Sequence, residues 1–317
     1  MTSWTAQDIP DLTGRRAVVT GANSGLGLHT ALELARHGAE VILAVRDLDR
    51  GEVARAQIAE AARSGGSALL RQLDLADLTS VRTFADEILR SGTRLDLLVN
   101  NAGVMAIPRR LSVDGYELQF ATNHLGHMAL TLRLLPALRR SGSDSTAARV
   151  VTVSSGAHRM GRITLEDLMG EHDYRPWRAY GQSKLANLLF TFELQRRLDT
   201  HRLPVAAYAA HPGFAATNLQ SVAPAMKGSA LGGLMARLGN SLLAQPAETG
   251  ALPTLYAATV PGLPPGAYIG PDGFLEQRGY PKIVSCTDAA RDESMASRLW
   301  AVSEELIGLR FEDLATT

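Results

Sequence analysis

The chain has 317 residues, 45% of them hydrophobic, which is ample for one large or two ordinary domains with a buried core. Its 32 basic residues balance 32 acidic ones, so no net field draws it to nucleic acid or to an anionic membrane, and a small neutral or modestly charged partner is expected. Cys286 is the only cysteine, which excludes an internal disulfide framework and a cysteine-clustered metal site.

Between Met1 and Arg16 there is no basic segment followed by an apolar run, and no stretch of about 18 uninterrupted apolar residues follows. The expectation is a protein of the reducing cytoplasm with no membrane anchor. Arg15 to Thr20 is a short apolar run that enters Gly21-Ala-Asn-Ser-Gly25-Leu-Gly27. A helical pattern then runs through Leu28, Leu32, Leu34 and Ala35 to Gly38. Strand, glycine turn and helix follow one another as a dinucleotide-binding unit requires. Without side chains, Gly25 and Gly27 let a pyrophosphate approach the backbone, and the helix N-terminus favours its charge.

Val41 to Arg46 reads as the second strand. Its end, nineteen residues beyond Gly27, is where an acid would bind the ribose hydroxyls of NAD, and the residue there is Arg46. A guanidinium favours the 2′-phosphate of NADP, so NADP(H) is expected over NAD(H), with NAD(H) left as an alternative. Asp47 follows, able to pair with Arg46 or to cap the next helix.

The alternation continues with a helix over about Asp49 to Arg63, a strand near Ala68 to Leu73, a helix over about Leu78 to Arg90 and a strand at Leu95 to Val99. No Pro/Gly/Ser-rich linker and no fixed-period repeat divides this rhythm, so one doubly wound domain spanning 1–317 is expected. Asp74 and Leu75 after the third strand, and Asn100-Asn101-Ala102-Gly103 after the fourth, fall at the carboxyl edge where such sheets bind ligands.

A long helical segment over about Gly115 to Arg140 carries Asn123 and His124, and asparagine inside a helical pattern invites a role. Arg149 to Val153 is an apolar strand ending in Ser154 and Ser155. A helix over about Trp177 to Leu198 holds Tyr180 and Lys184 just over one turn apart, so both side chains leave the same face and the ammonium can lower the phenol's pKa toward neutrality. Pro204 to Ala210 supplies a further strand, followed by His211-Pro212-Gly213 and, after Phe214, by Thr217. Gly266 to Gly270 reads as a last short strand and Ala289 to Leu306 as a closing helix.

These pieces together resemble the short-chain dehydrogenase/reductase family over essentially the whole chain. They are Thr20-Gly-Ala-Asn-Ser-Gly-Leu-Gly27, Asn100-Asn-Ala-Gly103, Asn123, Val153-Ser-Ser155, Tyr180-x-x-x-Lys184 and Pro212-Gly213, in the family's order. Within the family the chain looks most like the retinol dehydrogenase and light-dependent protochlorophyllide reductase group. Arg46-Asp47, Val153-Ser-Ser-Gly-Ala-His158 and Ser183-Lys-Leu-Ala-Asn187 carry that likeness, with the long interval of twenty-five residues from Ser155 to Tyr180. The expectation is that it departs from the membrane-bound retinol enzymes in having no N-terminal hydrophobic anchor.

The resemblance implies a Rossmann-type α/β fold with a parallel sheet of about seven strands and helices on both faces. It implies that Tyr180 exchanges the proton on the substrate oxygen and that Ser155 hydrogen-bonds the same oxygen. Lys184 would bind the ribose hydroxyls and lower the tyrosine pKa, and Asn123 would hold a water that relays the proton outward. Cofactor contacts would come from Gly21, Asn23, Ser24, Gly25, Leu26, Gly27, Arg46, Asp74, Leu75, Asn101, Ala102, Gly103, Tyr180 and Lys184. Pro212, Gly213 and Thr217 would bind the carboxamide end.

No metal is expected, because the mechanism needs no imidazole and the spacing of His124, His158 and His211 suggests none. A homodimer or homotetramer through the helices that precede and contain the catalytic pair is also implied. The resulting expectation is an NADP(H)-dependent alcohol dehydrogenase or carbonyl reductase. Segment 214–245, rich in leucine, methionine and glycine, would serve as a mobile lid over a bulky lipophilic substrate. The alternatives are a double-bond reductase on the same scaffold and a non-catalytic cofactor-binding sensor or scaffold.

Overall fold

Successive residues of the first strand, β1 (Arg16–Thr20), enter opposite cores: Ala17 and Val19 pack on one face of the sheet and Val18 on the other. That two-residue alternation, with both faces apolar, is what a parallel sheet covered by helices on both sides requires. The computed structural model describes residues 3–63, 65–92, 94–143, 146–214 and 245–315.

After β1 come α1 (Gly25–Arg36), β2 (Glu40–Val45), α2 (Leu48–Ala61), β3 (Ser67–Gln72), α3 (Leu78–Arg90) and β4 (Leu97–Asn100). The second half holds a single turn α4 (Leu118–Phe120), then α5 (Gly126–Ser141), β5 (Ala148–Val153), α6 (Pro176–Thr200), β6 (Val205–Ala210), α7 (Ala247–Thr259) and β7 (Tyr268–Pro271). It closes with β8 (Pro281–Ile283), α8 (Glu293–Ile307) and α9 (Phe311–Ala315).

The strand order is β3-β2-β1-β4-β5-β6-β7-β8, so the winding reverses between β1 and β4. A crevice at the carboxyl ends of those two strands is the general ligand position of such a sheet. One core joins α1, α2 and α7 to the sheet through Ala31, Leu34, Ala54, Ile58 and Leu255. The other joins α3, α5, α6, α8 and α9 through Phe84, Leu134, Leu188, Trp300 and Phe311.

Three features differ from the sequence reading. Among the described residues the sheet has eight strands, not about seven, and β8 runs antiparallel to β7; a three-residue strand beginning with proline shows no alternating run. The single helix expected over about Gly115 to Arg140 is broken. Leu111 and Glu117 form an antiparallel bridge, and a π-helical stretch, Ala121–Leu125, separates α4 from α5. The closing helix begins at Glu293, after a short 3-10 turn at Asp288–Ala290.

The expected lid at 214–245 and Thr217 lie outside the described residues except for the segment's ends, where the Gln245 amide donates to the Phe214 carbonyl at 2.9 Å. Among the described residues no helix is long and apolar enough to cross a membrane.

α5 and α6 are covered from within the chain. α8 lays Trp300 in a stack against Phe190 of α6, with ring centres 5.7 Å apart, and the Arg197 guanidinium lies 4.6 Å over the same indole. α9 adds Phe311 edge-on to Trp300, while Arg139 of α5 donates to the Leu314 carbonyl.

Candidate active site

Each strand of the sheet's first six delivers a polar group to the same carboxyl edge. At the end of β1, the Thr20 hydroxyl accepts from the backbone amides of Asn101 and Ala102, each at 2.9 Å, and the Asn101 side chain donates to the Thr20 carbonyl at 2.7 Å. The glycine turn that follows takes left-handed backbone at Gly21 (φ 66°) and Gly25 (φ 55°). A Cβ at Gly27 would stand 2.5 Å from the Gly21 carbonyl, so the helix can approach the strand this closely only with glycine there.

Ser24 is the N-cap of α1 but makes no side-chain cap bond, and Asn23, Ser24 and Leu26 are half-buried. The first-turn amides of α1 therefore keep their donors for an anion, and with the glycine turn these residues fit a dinucleotide pyrophosphate.

Arg46 is exposed after β2, and its guanidinium has no partner among the described residues. Of the two roles open to Asp47, the structure shows the cap: its carboxylate accepts from the Arg50 amide at 3.0 Å. Asp74, after β3, accepts from the Ala76 amide at 2.9 Å. Leu75 is buried, and its carbonyl lies against Gly126 at the start of α5, where a Cβ would collide with it.

β5 ends in the two serines, which go opposite ways as a pleat dictates. Ser154 turns inward and donates to the Lys184 carbonyl at 2.8 Å, whereas the Ser155 hydroxyl accepts from the Ala157 amide at 3.2 Å and lies close enough to the Tyr180 phenol to act on its pKa. Pro176 at the start of α6 needs no amide partner there, and one turn later Tyr180 and Lys184 project together. Lys184 Nζ donates to the Val153 carbonyl at 3.0 Å, an oxygen that also accepts from Asn187 at 3.1 Å.

The expected lowering of the phenol by the ammonium is corrected by the structure. Tyr180 and Lys184 are only 5% and 3% exposed, and burial disfavours both charged forms. It pushes Tyr180 up to about 12, against the smaller opposing effect of the nearby Ser155, and Lys184 down to about 8.

Asn123 sits in the π-helical stretch with its side chain fully engaged. Its Oδ1 accepts from the Val104 amide at 2.8 Å, while Nδ2 donates to the Val104 carbonyl at 3.0 Å and to Ser183 Oγ at 2.9 Å. It thus ties the segment after Gly103 to the helix that carries Tyr180.

After β6, Pro212 and Gly213 are held by His211 and Gln245 and, through His211, by Glu276, which the sequence did not single out. His211 Nδ1 accepts from the Gly213 amide at 3.3 Å and Nε2 donates to Glu276 at 3.1 Å, a carboxylate that also pairs with Arg159. Gln245 donates to the Pro212 carbonyl at 2.6 Å. Glu276 lies in no recognisable motif, so only tertiary structure reveals it. His124 and His158 bind Ser303 Oγ and the Ser155 carbonyl at 3.0 and 2.7 Å.

The profile of the short chain dehydrogenase family matches residues 15–228. The chain belongs to that family. It is 41% identical over 303 residues to retinol dehydrogenase 12 of Mus musculus, a match that covers 95% of this chain and 89% of the relative. It is 42% identical over 302 residues to the polyprenol dehydrogenase of Mus musculus, covering 95% and 86%. Among solved structures it is similar to an uncharacterized protein from Mycobacterium paratuberculosis at 47% identity, with a TM-score of 0.80 over 98% of this chain and 99% of that one. This short-chain dehydrogenase is thus a Rossmann-fold oxidoreductase of alcohol and carbonyl groups, within the retinol dehydrogenase group.

Proposed function

We propose that this dehydrogenase interconverts a bulky lipophilic alcohol and its carbonyl compound with NADP(H), NAD(H) being the poorer cofactor. The observation that carries the reading is the Tyr180 phenol beside Ser155 and the buried Lys184, at the carboxyl edge of the sheet. The names of the relatives, retinol and polyprenol dehydrogenases, support a lipophilic alcohol.

The nicotinamide supplies or accepts the hydride. Tyr180 gives its proton to the substrate oxygen in reduction and recovers it in oxidation, and Ser155 donates to the same oxygen as charge develops. A phenol held near 12 carries its proton at neutrality, the form that carbonyl reduction consumes. Lys184 binds the ribose hydroxyls. The amide of Asn123 is taken up by Val104 and Ser183, so a relaying water would be held by its backbone carbonyl, which has a second lone pair. Arg46 takes the 2′-phosphate, and the Pro212-Gly213 turn with Thr217 takes the carboxamide end.

The test is NADPH and NADH oxidation by the purified protein with all-trans-retinal, a short polyprenal and small polar carbonyls. Turnover is expected with the lipophilic aldehydes and NADPH. Turnover confined to the small polar carbonyls would overturn the substrate class.

A further inference from the structure

His127 is 1% exposed, lies one turn beyond Asn123, and has both ring nitrogens engaged. Nδ1 is 3.0 Å from the Asn123 carbonyl and Nε2 is 2.9 Å from Thr20 Oγ1. A carbonyl only accepts, so Nδ1 must carry the proton. Burial disfavours the imidazolium, with the Lys184 charge acting in the same sense, and holds its pKa near 4, so the ring is neutral and Nε2 is an acceptor.

The Thr20 hydroxyl therefore donates to Nε2, a shorter contact than the 3.3 Å to its other acceptor, the Val99 carbonyl. Its two lone pairs receive the amides of Asn101 and Ala102. Every donor and acceptor in this chain has one direction.

The chain closes on itself. From Thr20 it passes to the Ala102 amide, through the backbone to Val104, across to the Asn123 side chain, from the Asn123 carbonyl to His127, and back to Thr20. Gly103 is enclosed: a Cβ there would stand 3.0 Å from Asn123 Oδ1 and 3.7 Å from Lys184 Nζ. We infer that His127 is a positioning residue of the reaction, a neutral imidazole of fixed tautomer that sets the distance between the dinucleotide edge at Asn101-Ala102 and the proton-transfer side at Asn123 and Lys184.

The inference rests on the dehydrogenase reading above. Its two halves separate experimentally. His127→Gln keeps an acceptor near the Nε2 position for Thr20 but leaves the Asn123 carbonyl without its donor. His127→Asn keeps a donor near the Nδ1 position but stops short of Thr20.

Expected for His127→Gln is a kcat loss of about tenfold or more with the NADP(H) Kd held within about threefold. Expected for His127→Asn is the reverse, a Kd weakened about tenfold with a kcat loss of about threefold or less at saturating cofactor. Equal losses in both quantities for both variants, or no loss in either, would overturn the inference.

Should the His127 variants not fold, Thr20 decides. Thr20→Val should weaken the dinucleotide Kd and Thr20→Ser should restore it, and equal Kd values for the two would count against the ring. Wild-type protein that binds no dinucleotide would sink the underlying reading instead, whereas normal wild-type binding and turnover with no split sinks this inference alone.

Discussion

Lys184 Nζ stands over the Tyr180 ring, 5.7 Å from its centre, and donates to the Val153 carbonyl at 3.0 Å. The ammonium is thus held in a dry site with one backbone acceptor, and burial lowers its pKa from 10.5 to about 8. Between those values the unfolded chain holds a proton that the folded chain has released, so stability rises with pH there. Below about 8 both states hold it and the full cost of burying the charge remains.

Lys184→Met should therefore stabilise the fold at neutral pH, by about 1–3 kcal/mol, because it removes a buried charge while Asn187 still donates to the Val153 carbonyl. The gain should shrink as pH approaches 10.5, and turnover should fall by at least about a hundredfold. Urea unfolding of both proteins across that range checks it. A variant less stable than the wild type at neutral pH would show that the ammonium is not a net cost to the fold.

Tyr180→Phe removes one hydroxyl and leaves the ring packed edge-on to Trp177. Loss of the proton donor should cut kcat by at least about a hundredfold with little change in dinucleotide affinity. Single-turnover kinetics and fluorescence titration with NADPH separate the two quantities. Near-wild-type turnover would remove Tyr180 from the mechanism.

Arg46 is exposed and unpaired among the described residues, and the neighbouring Asp47 is committed to capping α2. The guanidinium is left for a 2′-phosphate, so kcat/KM should favour NADPH, and Arg46→Asp should lower it by about tenfold or more while improving NADH relative to NADPH. Equal values for both cofactors in the wild type would refute the assignment.

The parts legible in the sequence are those written in periodic or invariant geometry. The alternating strands and helices, the glycine turn and the four-residue interval from Tyr180 to Lys184 each follow from backbone spacing, so residues met one by one in the chain reach one sheet edge. The break in the helix before α5 was not legible, because the apolar pattern runs on through Ala121–Leu125 and a π turn is a matter of which carbonyl each amide selects. The upward shift of the Tyr180 phenol is illegible for a different reason. A helix places the lysine beside the phenol, but the solvent that both lose depends on tertiary neighbours such as Val153 of β5, which the local sequence does not announce. His127 lies at the helical interval from Asn123 and could have been flagged from spacing, yet its direction follows only once both ring partners are known.

The helices α8 and α9 pack on part of α5 and α6, the helices through which the family resemblance implies pairing between copies. Should this packing stand in for a neighbour, each copy would work alone. Specific activity should then be indifferent to dilution across the range where assemblies dissociate, and light scattering should report the mass of one chain. Removing 293–317 should reverse this by baring Phe190 and the stem of Arg197, leaving a chain that self-associates or precipitates. A full-length protein whose activity falls on dilution, with cross-links between α5 or α6 of two copies, would show that the flank is open after all.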